Sequence, residues 1–574
     1  MPLSDDPLMI VVGGDALALS TAREICLLQG HRVVVLWHAD PEFQRTVEEA
    51  GAAFVSGRPQ SRDGLDRAGV QEAVTILALS VDDHLNLQIA LRARDANPGI
   101  RIVLRQFNRT LAHKIEQNLN DCSVLSLAWH SAATYAAAAL DPGCLRGLQF
   151  PEPDGPLTGL ATRIAEDCGV AGAMVEEAER RLEARIVALD GNTEIGSSDP
   201  IGRQAKLVIY GEIAKLVESS PRRPQHRRAW VAHPLLAGLA RRAGRRPRLD
   251  RLLVRLALAA IGVFLVGSWY FHLAFEGDWL KAAYFVLTTM TTTGYGDVTP
   301  KTDSAPQLIA AMLLMLSGII VSGLFIAYGA SLLTRAQWVA MQGLRPVRRR
   351  GHIVLCGAGS IGSGVIDLLL AFKKPLVVVE ATPDSSLVER ARDRGFDLLT
   401  GDASRDEALD LCNLGAAHSL IALTNIDTLN LEIALGARAR NPELPIVLRI
   451  AEASFAASIV RHFEFETTFS AAALAAPAFA GLSRLPGARG RIAFDDREFA
   501  IGEAVLPEKA GEAVPRGAIP LAVARDNGLA LVHGFDEVNA AERVLLLIPL
   551  APFREGKETL AAVAERVLPA EAGS

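Results

Sequence analysis

The sequence predicts a membrane α-helical unit, two spans with a re-entrant helix between them, set between two doubly wound α/β domains that each end in a small α+β lobe. Three observations carry this. Two long runs in the middle of the chain lack any charged residue, a gap-free internal repeat flanks them, and both repeats alternate short apolar strand runs with helical stretches. At 574 residues the chain has room for several domains. Hydrophobic residues make up 50% of it and the mean hydropathy is +0.22, high for a purely soluble protein. The formal net charge of −6 offers no general attraction for nucleic acid. Cys26, Cys122, Cys144, Cys168, Cys356 and Cys412 lack the spacing of a metal site or disulfide framework, which suits a reducing compartment. The start, "MPLSDDPLMIVVGG", has no basic region followed by a long apolar one, so no cleaved signal peptide is expected.

The first α/β domain is read over 1–145 and its small lobe over 146–220. "MIVVGG", "RVVVLW", "TILALS" and "RIVLR" are strand-like runs separated by helical stretches, the pattern of parallel βαβ units. The second domain repeats the first. "ALSVDDHLNLQIALRARDANPGIRIVLR" from residue 78 and "ALTNIDTLNLEIALGARARNPELPIVLR" from residue 422 align without gaps, an offset of 344. The same offset takes Gly13 to Gly357 and Gly57 to Gly401, and the alanine-rich "SAATYAAAA" (131–139) has a counterpart in "AALAAPAFA" (472–480), so one domain has been duplicated around the membrane unit.

Residues 221–251 form a basic linker and 252–335 the membrane unit. "LALAAIGVFLVGSWYFHLAF" (256–275) is uncharged, and about 20 helical residues cross the ~30 Å hydrocarbon layer. The uncharged run Pro306–Thr334 is longer, and Gly318, Gly323 and Gly329 let it bend or pack closely. Arg222, Arg223, Arg227, Arg228, Arg241, Arg242, Arg245, Arg246, Arg248 and Arg251 precede the first span; Arg335, Arg345, Arg348, Arg349 and Arg350 follow the second. Positive flanks on both outer sides place both termini in the cytoplasm of a protein of the cell inner or plasma membrane, with 276–305 reaching outward and back. Beside a span this reading suffices, and no nucleic-acid partner is expected.

Between the spans lies "TMTTTGYGD" (289–297), after "WLKAAYFVLTTM" (279–290), which is too short to span and fits a re-entrant half-helix. Irregular backbone at membrane depth survives only inside protein or along a water-filled path. Gly294 and Gly296 permit backbone angles that turn successive carbonyls to one axis, where rings of them replace the water shell of a dehydrated cation. Thr292 adds a hydroxyl, Tyr295 packs outward to set the width, and Asp297 sits at the outer mouth. This stretch resembles the potassium-channel filter, matching its Thr-x-x-Thr-x-Gly-Tyr-Gly-Asp pattern through Thr289, Thr292, Gly294, Tyr295, Gly296 and Asp297. Thr293 stands where many members have valine. The resemblance implies a homotetramer in the lipid bilayer with one filter strand per subunit, K+ being held by Thr292, Thr293, Gly294 and Tyr295. Gly318 is similar in placement to the family's inner-helix hinge; close helix packing is its alternative reading.

A gating linker is read over 336–351, the second α/β domain over 352–485, its small lobe over 486–555 and a tail over 556–574. "HIVLCGAGSIGSG" (352–364) is a strand followed by Gly357-x-Gly359-x-x-Gly362 at a helix start, and "LVVVE" puts Glu380 at the end of the next strand. This is the Rossmann-like fingerprint: glycines for a tight turn and close phosphate approach, a helix N-terminus for the anion, an acid for ribose hydroxyls. Glu380 disfavours a 2′-phosphate, so NAD(H) or an adenine nucleotide is the expected regulatory ligand, on Gly357, Gly359, Ser360, Ile361, Gly362 and Glu380. The domain resembles the regulator-of-potassium-conductance (TrkA-N-like) family over most of 1–220 and 350–550. That resemblance adds Asp402, Ala403 and Thr424, from "TGDAS" (400–404) and "ALTNIDTLN" (422–430). A calcium site, found in some members, is in doubt here because Ser454 stands two residues after Glu452, where a second acid would be wanted. Most members attach these domains after the pore, whereas this chain has one on each side.

The first copy departs from the fingerprint: Gly359 corresponds to Asp15, Gly362 to Ala18, Glu380 to Leu36 and Asp402 to Arg58. A carboxylate where phosphate approaches is repulsive, so this copy is expected to be a structural partner or to bind something else. The chain therefore reads as a ligand-gated potassium channel subunit with no catalytic residue. Two alternatives stand beside it: a non-conducting scaffold or sensor of a potassium uptake system, and a membrane-anchored NAD-dependent oxidoreductase.

Overall fold

A computed structural model describes residues 7–551 apart from 28–31, 108, 152–154, 220–250, 301–303, 342–345, 466, 483–487, 495–496, 507–513, 515–516, 526–527 and 540–541, together with 568–569. The basic linker before Arg251, Arg345 and most of the tail fall outside the described residues. The chain divides into two compact units, one formed by Met1–Pro221 with Leu344–Ser574 and the other by Arg222–Gly343.

In the first unit, β1 (Leu8–Val12), β2 (Arg32–Trp37), β3 (Ala53–Ser56), β4 (Ala73–Ala78), β5 (Arg101–Arg105) and β6 (Cys122–Leu125) form a parallel sheet in the order β3-β2-β1-β4-β5-β6. The connections are α1 (Ala16–Leu27), α2 (Pro41–Glu49), α3 (Arg62–Arg67), α4 (Asp83–Ala96) and α5 (Arg109–Asn118). β1 is buried throughout, as a central parallel strand covered on both faces must be. A crossover helix, α6 (Leu127–Leu140), leads to the small lobe of β7 (Cys144–Gln149), β8 (Leu157–Ile164), α7 (Val175–Leu182), β9 (Arg185–Leu189), β10 (Lys206–Glu212) and α8 (Ile213–Ser219), whose sheet runs β7-β8-β10-β9.

The second unit holds α9 (Arg251–Ala274), α10 (Trp279–Met290) and α11 (Ala305–Met341). Two stretches, Arg255–Ala274 and Ala305–Ala330, are long and apolar enough to cross a membrane. Phe271, Ala282, Phe285, Val286, Ala311 and Leu314 form the unit's core, while Leu258, Leu265, Ile309, Met312 and Leu313 face outward. An apolar exterior around an apolar core is the pattern of helices solvated by lipid.

The second copy rebuilds the first: β11 (Ile353–Cys356), β12 (Leu376–Glu380), β13 (Asp397–Thr400), β14 (Ser419–Ala422), β15 (Ile446–Ile450) and β16 (Thr468–Ser470) in the order β13-β12-β11-β14-β15-β16. Its helices are α12 (Ser360–Ala371), α13 (Ser385–Arg394), α14 (Asp406–Leu411), α15 (Asp427–Arg440), α16 (Ala453–Phe463) and the crossover α17 (Ala471–Leu482). The lobe strands β17 (Ala488–Phe494), β18 (Arg497–Val505), β19 (Ile519–Arg525), β20 (Gly528–Leu531) and β21 (Arg543–Pro549) run β17-β18-β21-β19-β20, with β22 (Leu568–Pro569) beside β18.

The two copies embrace reciprocally. The crossover helix of each packs on the helix that follows the glycine turn of the other, α6 on α12 and α17 on α1. Both crossover helices are rich in alanine, which permits close approach; a Cβ on Gly364 would stand 3.1 Å from the Ala132 Cβ. Phe479 anchors one side, fully buried among Leu17, Ala18 and Ala22. Phe479→Ala should therefore cost about 3–5 kcal/mol, measured by chemical denaturation followed in this unit, with loosened pairing as the visible consequence.

Polar contacts also cross the pair. Ser419 Oγ donates to the Ala139 carbonyl at 2.7 Å, and His418 Nε2 lies 3.2 Å from the Leu140 carbonyl oxygen. Burial holds the His418 imidazole below its ordinary pKa. The folded state then binds fewer protons than the unfolded one. Stability from this group is fully present above about pH 6.5 and falls as the pH drops below it. Denaturation midpoints between pH 7.5 and pH 5.5, compared with His418→Gln, should show a smaller acid loss in the variant.

Candidate functional site

Two places gather the residues singled out by the sequence. The first is the bend after α10. Asp278 caps that helix by accepting the N–H groups of Leu280 and Lys281, and the helix stops at Met290, so its negative dipole end faces the turn that follows. Through that turn Thr292, Gly294 and Gly296 take left-handed φ values of 59°, 52° and 78°. Alternate residues of opposite handedness turn successive carbonyls toward one side, which a regular strand cannot do. Glycine accepts such angles freely. For Thr292, β-branched, they carry strain of the kind held at functional sites. The Tyr284 hydroxyl donates to Asp297 Oδ2 at 2.8 Å, tying the end of the bend to α10. Tyr284 is a residue that sequence reasoning missed, its only signal being an aromatic residue on the half-helix.

Gly318 lies in the middle of α11, which runs unbroken through it. A Cβ there would stand 2.8 Å from both the Cα and the carbonyl oxygen of Met290. Close approach to the end of α10 is thus a sufficient reason for glycine at this position.

The second place is the crevice at the C-terminal edge of β11 and β14, where the strand order reverses and α/β sheets take their ligands. Its three glycines answer three different demands. Gly357 has φ +95°, and a Cβ would lie 2.9 Å from the Thr424 nitrogen. At Gly362 a Cβ would collide with the Gly357 carbonyl oxygen. Gly359 meets nothing within 4 Å, leaving the ground above it open, and Ser360 and Ile361 begin α12 directly behind it. Glu380 Oε2 accepts the Ala358 N–H at 2.7 Å, so this acid bolts the end of β12 to the glycine turn. Asp402 accepts the Ser404 hydroxyl at 2.8 Å and its N–H at 3.0 Å, bonds that hold its carboxyl below the usual carboxylate range. Ala403 is buried beneath it.

Thr424 is held by a residue that the sequence did not single out. Asn430, fully buried, accepts the Thr424 N–H at 2.9 Å and donates to the carbonyls of Thr424 at 3.0 Å and Arg449 at 2.9 Å. Asn86 does the same for Ser80 and Arg105 in the first copy. Identity at the repeat offset was the available signal. The Ser454 hydroxyl donates to Glu452, and no group of three or more His, Cys, Asp or Glu that could hold a metal ion occurs among the described residues.

Comparison with known proteins identifies the domains in which these two places lie. Residues 9–123 and 353–470 each match the TrkA-N domain, and residues 258–335 match the ion channel family. Probable potassium channel protein 2 of Methanocaldococcus jannaschii is 27% identical over 35% of this chain and 60% of its own length. Potassium channel protein 1 of the same organism is 26% identical over 30% of this chain and 53% of its own. The chain thus spans somewhat over half the length of these two relatives. A solved structure described as the GsuK channel bound to NAD covers 98% of this chain and 80% of its own at 13% identity, with a TM-score of 0.47. The fold class and the family resemblance read from the sequence are borne out by the domain matches.

Proposed function

We propose that this chain, in which two segments match the TrkA-N domain and a third between them matches the ion channel family, is the subunit of a ligand-gated potassium channel. The observation that carries the reading is the alternation of left-handed residues at Thr292, Gly294 and Gly296 directly after a half-length helix between two spans. Four subunits close one filter, Thr292 to Tyr295 supplying its oxygens. Tyr295, 72% exposed in the single chain, packs against neighbouring subunits. In this reading both termini lie in the cytoplasm, and the membrane unit ends with the helix that runs to Met341.

The crevice of the second copy takes NAD(H) or an adenine nucleotide: the open ground over Gly359 for phosphate, the N-terminus of α12 for its charge, Glu380 for ribose, and Asp402 and Thr424 along the rim. Ligand binds the open and closed arrangements unequally and shifts their populations, the force passing along 336–351, whose first six residues continue α11 to Met341, with Gly318 as a bending point. Potassium flux into proteoliposomes containing only this chain tests the reading. Selective flux supports a channel. No flux from folded tetramers favours a scaffold of an uptake system, and NAD turnover without flux favours an anchored oxidoreductase. Protease-accessible tags at either terminus of intact cells would overturn the orientation.

A further inference from the structure

The crevice of the first copy is filled by the chain itself. Trp37, at the end of β2, lays its indole on Gly14: a Cβ at Gly14 would collide with Nε1, Cδ1 and Cε2 of the ring. One residue on, Asp15 Oδ1 accepts the N–H groups of Leu17 and Ala18 at 3.1 Å each, at the start of α1. Its Oδ2 lies 2.6 Å from Arg105 Nη1, which also donates to the Leu79 carbonyl at 3.1 Å. The pair is largely withdrawn from water, the side chains being 16% exposed for Arg105 and 29% for Asp15.

The second copy carries the complementary set at the same offset: Ala358 for Gly14, Gly359 for Asp15, Ala381 for Trp37, and Arg449 where Arg105 stands. There the ground above Gly359 is open. Arg449 Nη1 donates to the Thr424 carbonyl at 3.1 Å, and its Nε is buried with no hydrogen-bond partner among the described residues. An aromatic ring on the glycine turn and an anion at the helix N-terminus facing an arginine are what a nucleotide would bring. The first copy brings both from its own sequence, and needs a bare glycine at 14 to do so.

We propose that the first copy is a self-occupied sensor, closed by Trp37 and Asp15 in place of a ligand and fixed in the bound arrangement while the second copy opens and closes. The behaviour of the second copy rests on the nucleotide binding proposed above; the closure of the first does not.

Amide exchange on the full-length protein in detergent tests it. In the unmodified protein, amides 16–18 exchange slowly and equally with and without NAD, while amides 360–362 slow when NAD is added. Asp15→Ala with Trp37→Ala speeds exchange at 16–18 by about fivefold or more, the effect of losing one helix cap, and leaves Ile10–Val12 unchanged. The transplant Ala358→Gly, Gly359→Asp and Ala381→Trp slows 360–362 without NAD to the NAD-bound rate and removes any further response to NAD. If the transplant unfolds the sheet, reported by amides of Val354–Cys356, Gly359→Asp alone carries the same test, since its Cβ enters open space.

The proposal is overturned if the transplanted residues slow 360–362 by only the roughly fivefold that one cap is worth and short of the NAD-bound rate, the outcome for an ordinary helix cap, or if removing Asp15 and Trp37 leaves 16–18 unchanged. If NAD does not slow 360–362 in the unmodified protein, the nucleotide reading fails instead. Slowing by the transplant beyond the roughly fivefold of one helix cap then still decides the closure.

Discussion

Replacing Gly296 with alanine is expected to abolish the proposed selective potassium conduction while leaving the two spans and the α/β unit folded. Gly296 sits at φ +78°, where a Cβ costs roughly 1–2 kcal/mol per residue. In the tetramer proposed above that cost recurs four times, and it relaxes by rotating the peptide whose carbonyl is proposed to line the path. No atom lies within 4 Å of the missing Cβ in the single chain, so the effect comes from backbone angle and not from a local clash. Reversal potentials in opposed potassium and sodium gradients measure it. The unmodified protein follows potassium, and Gly296→Ala either carries no current or passes both ions. Full selectivity in the alanine variant would overturn the filter assignment.

Gly362→Val removes nucleotide binding by the second copy. Its first carbon would occupy the place of the Gly357 carbonyl oxygen, which is backbone and can yield only by moving the glycine turn away from the N-terminus of α12. Overpacking of this kind costs about 1–3 kcal/mol, and displacing the turn also removes the close phosphate approach. Affinity for NAD in calorimetry should fall by about a hundredfold or more, the equivalent of ~3 kcal/mol. Gly415→Ala is the control: nothing lies within 4 Å of its added carbon, and affinity should not change. Undiminished binding by Gly362→Val would place the ligand elsewhere.

The legible parts of this molecule were those written in neighbouring residues. The glycine-rich bend, the glycine fingerprint and the spans are local patterns, and the offset of 344 exposed the duplication because both copies kept their apolar runs. The Gly357, Gly359 and Gly362 pattern was legible as a set, but not the separate demand on each, which depends on atoms as distant in sequence as Thr424. Tyr284 and Asn430 stayed hidden because their roles are hydrogen bonds made across turns, to Asp297 and to the backbone of Arg449.

The sequence by itself determined that two copies of one α/β domain enclose a membrane unit with a glycine-rich bend, because hydrophobic periodicity and backbone freedom are properties of short stretches. Only the tertiary structure decided how the copies meet. α6 and α17 are alanine-rich and buried on most sides, so no apolar stripe announces that each packs on the other copy's first helix. Only the tertiary structure, likewise, turned Asp15 from a residue that repels phosphate into one seated where phosphate would be. Its partner Arg105 is 90 residues away, and the Trp37 ring lies over Gly14. A carboxylate is repulsive or at home according to the charge it faces, and that charge is set by strand order in the sheet, not by its neighbours in the chain.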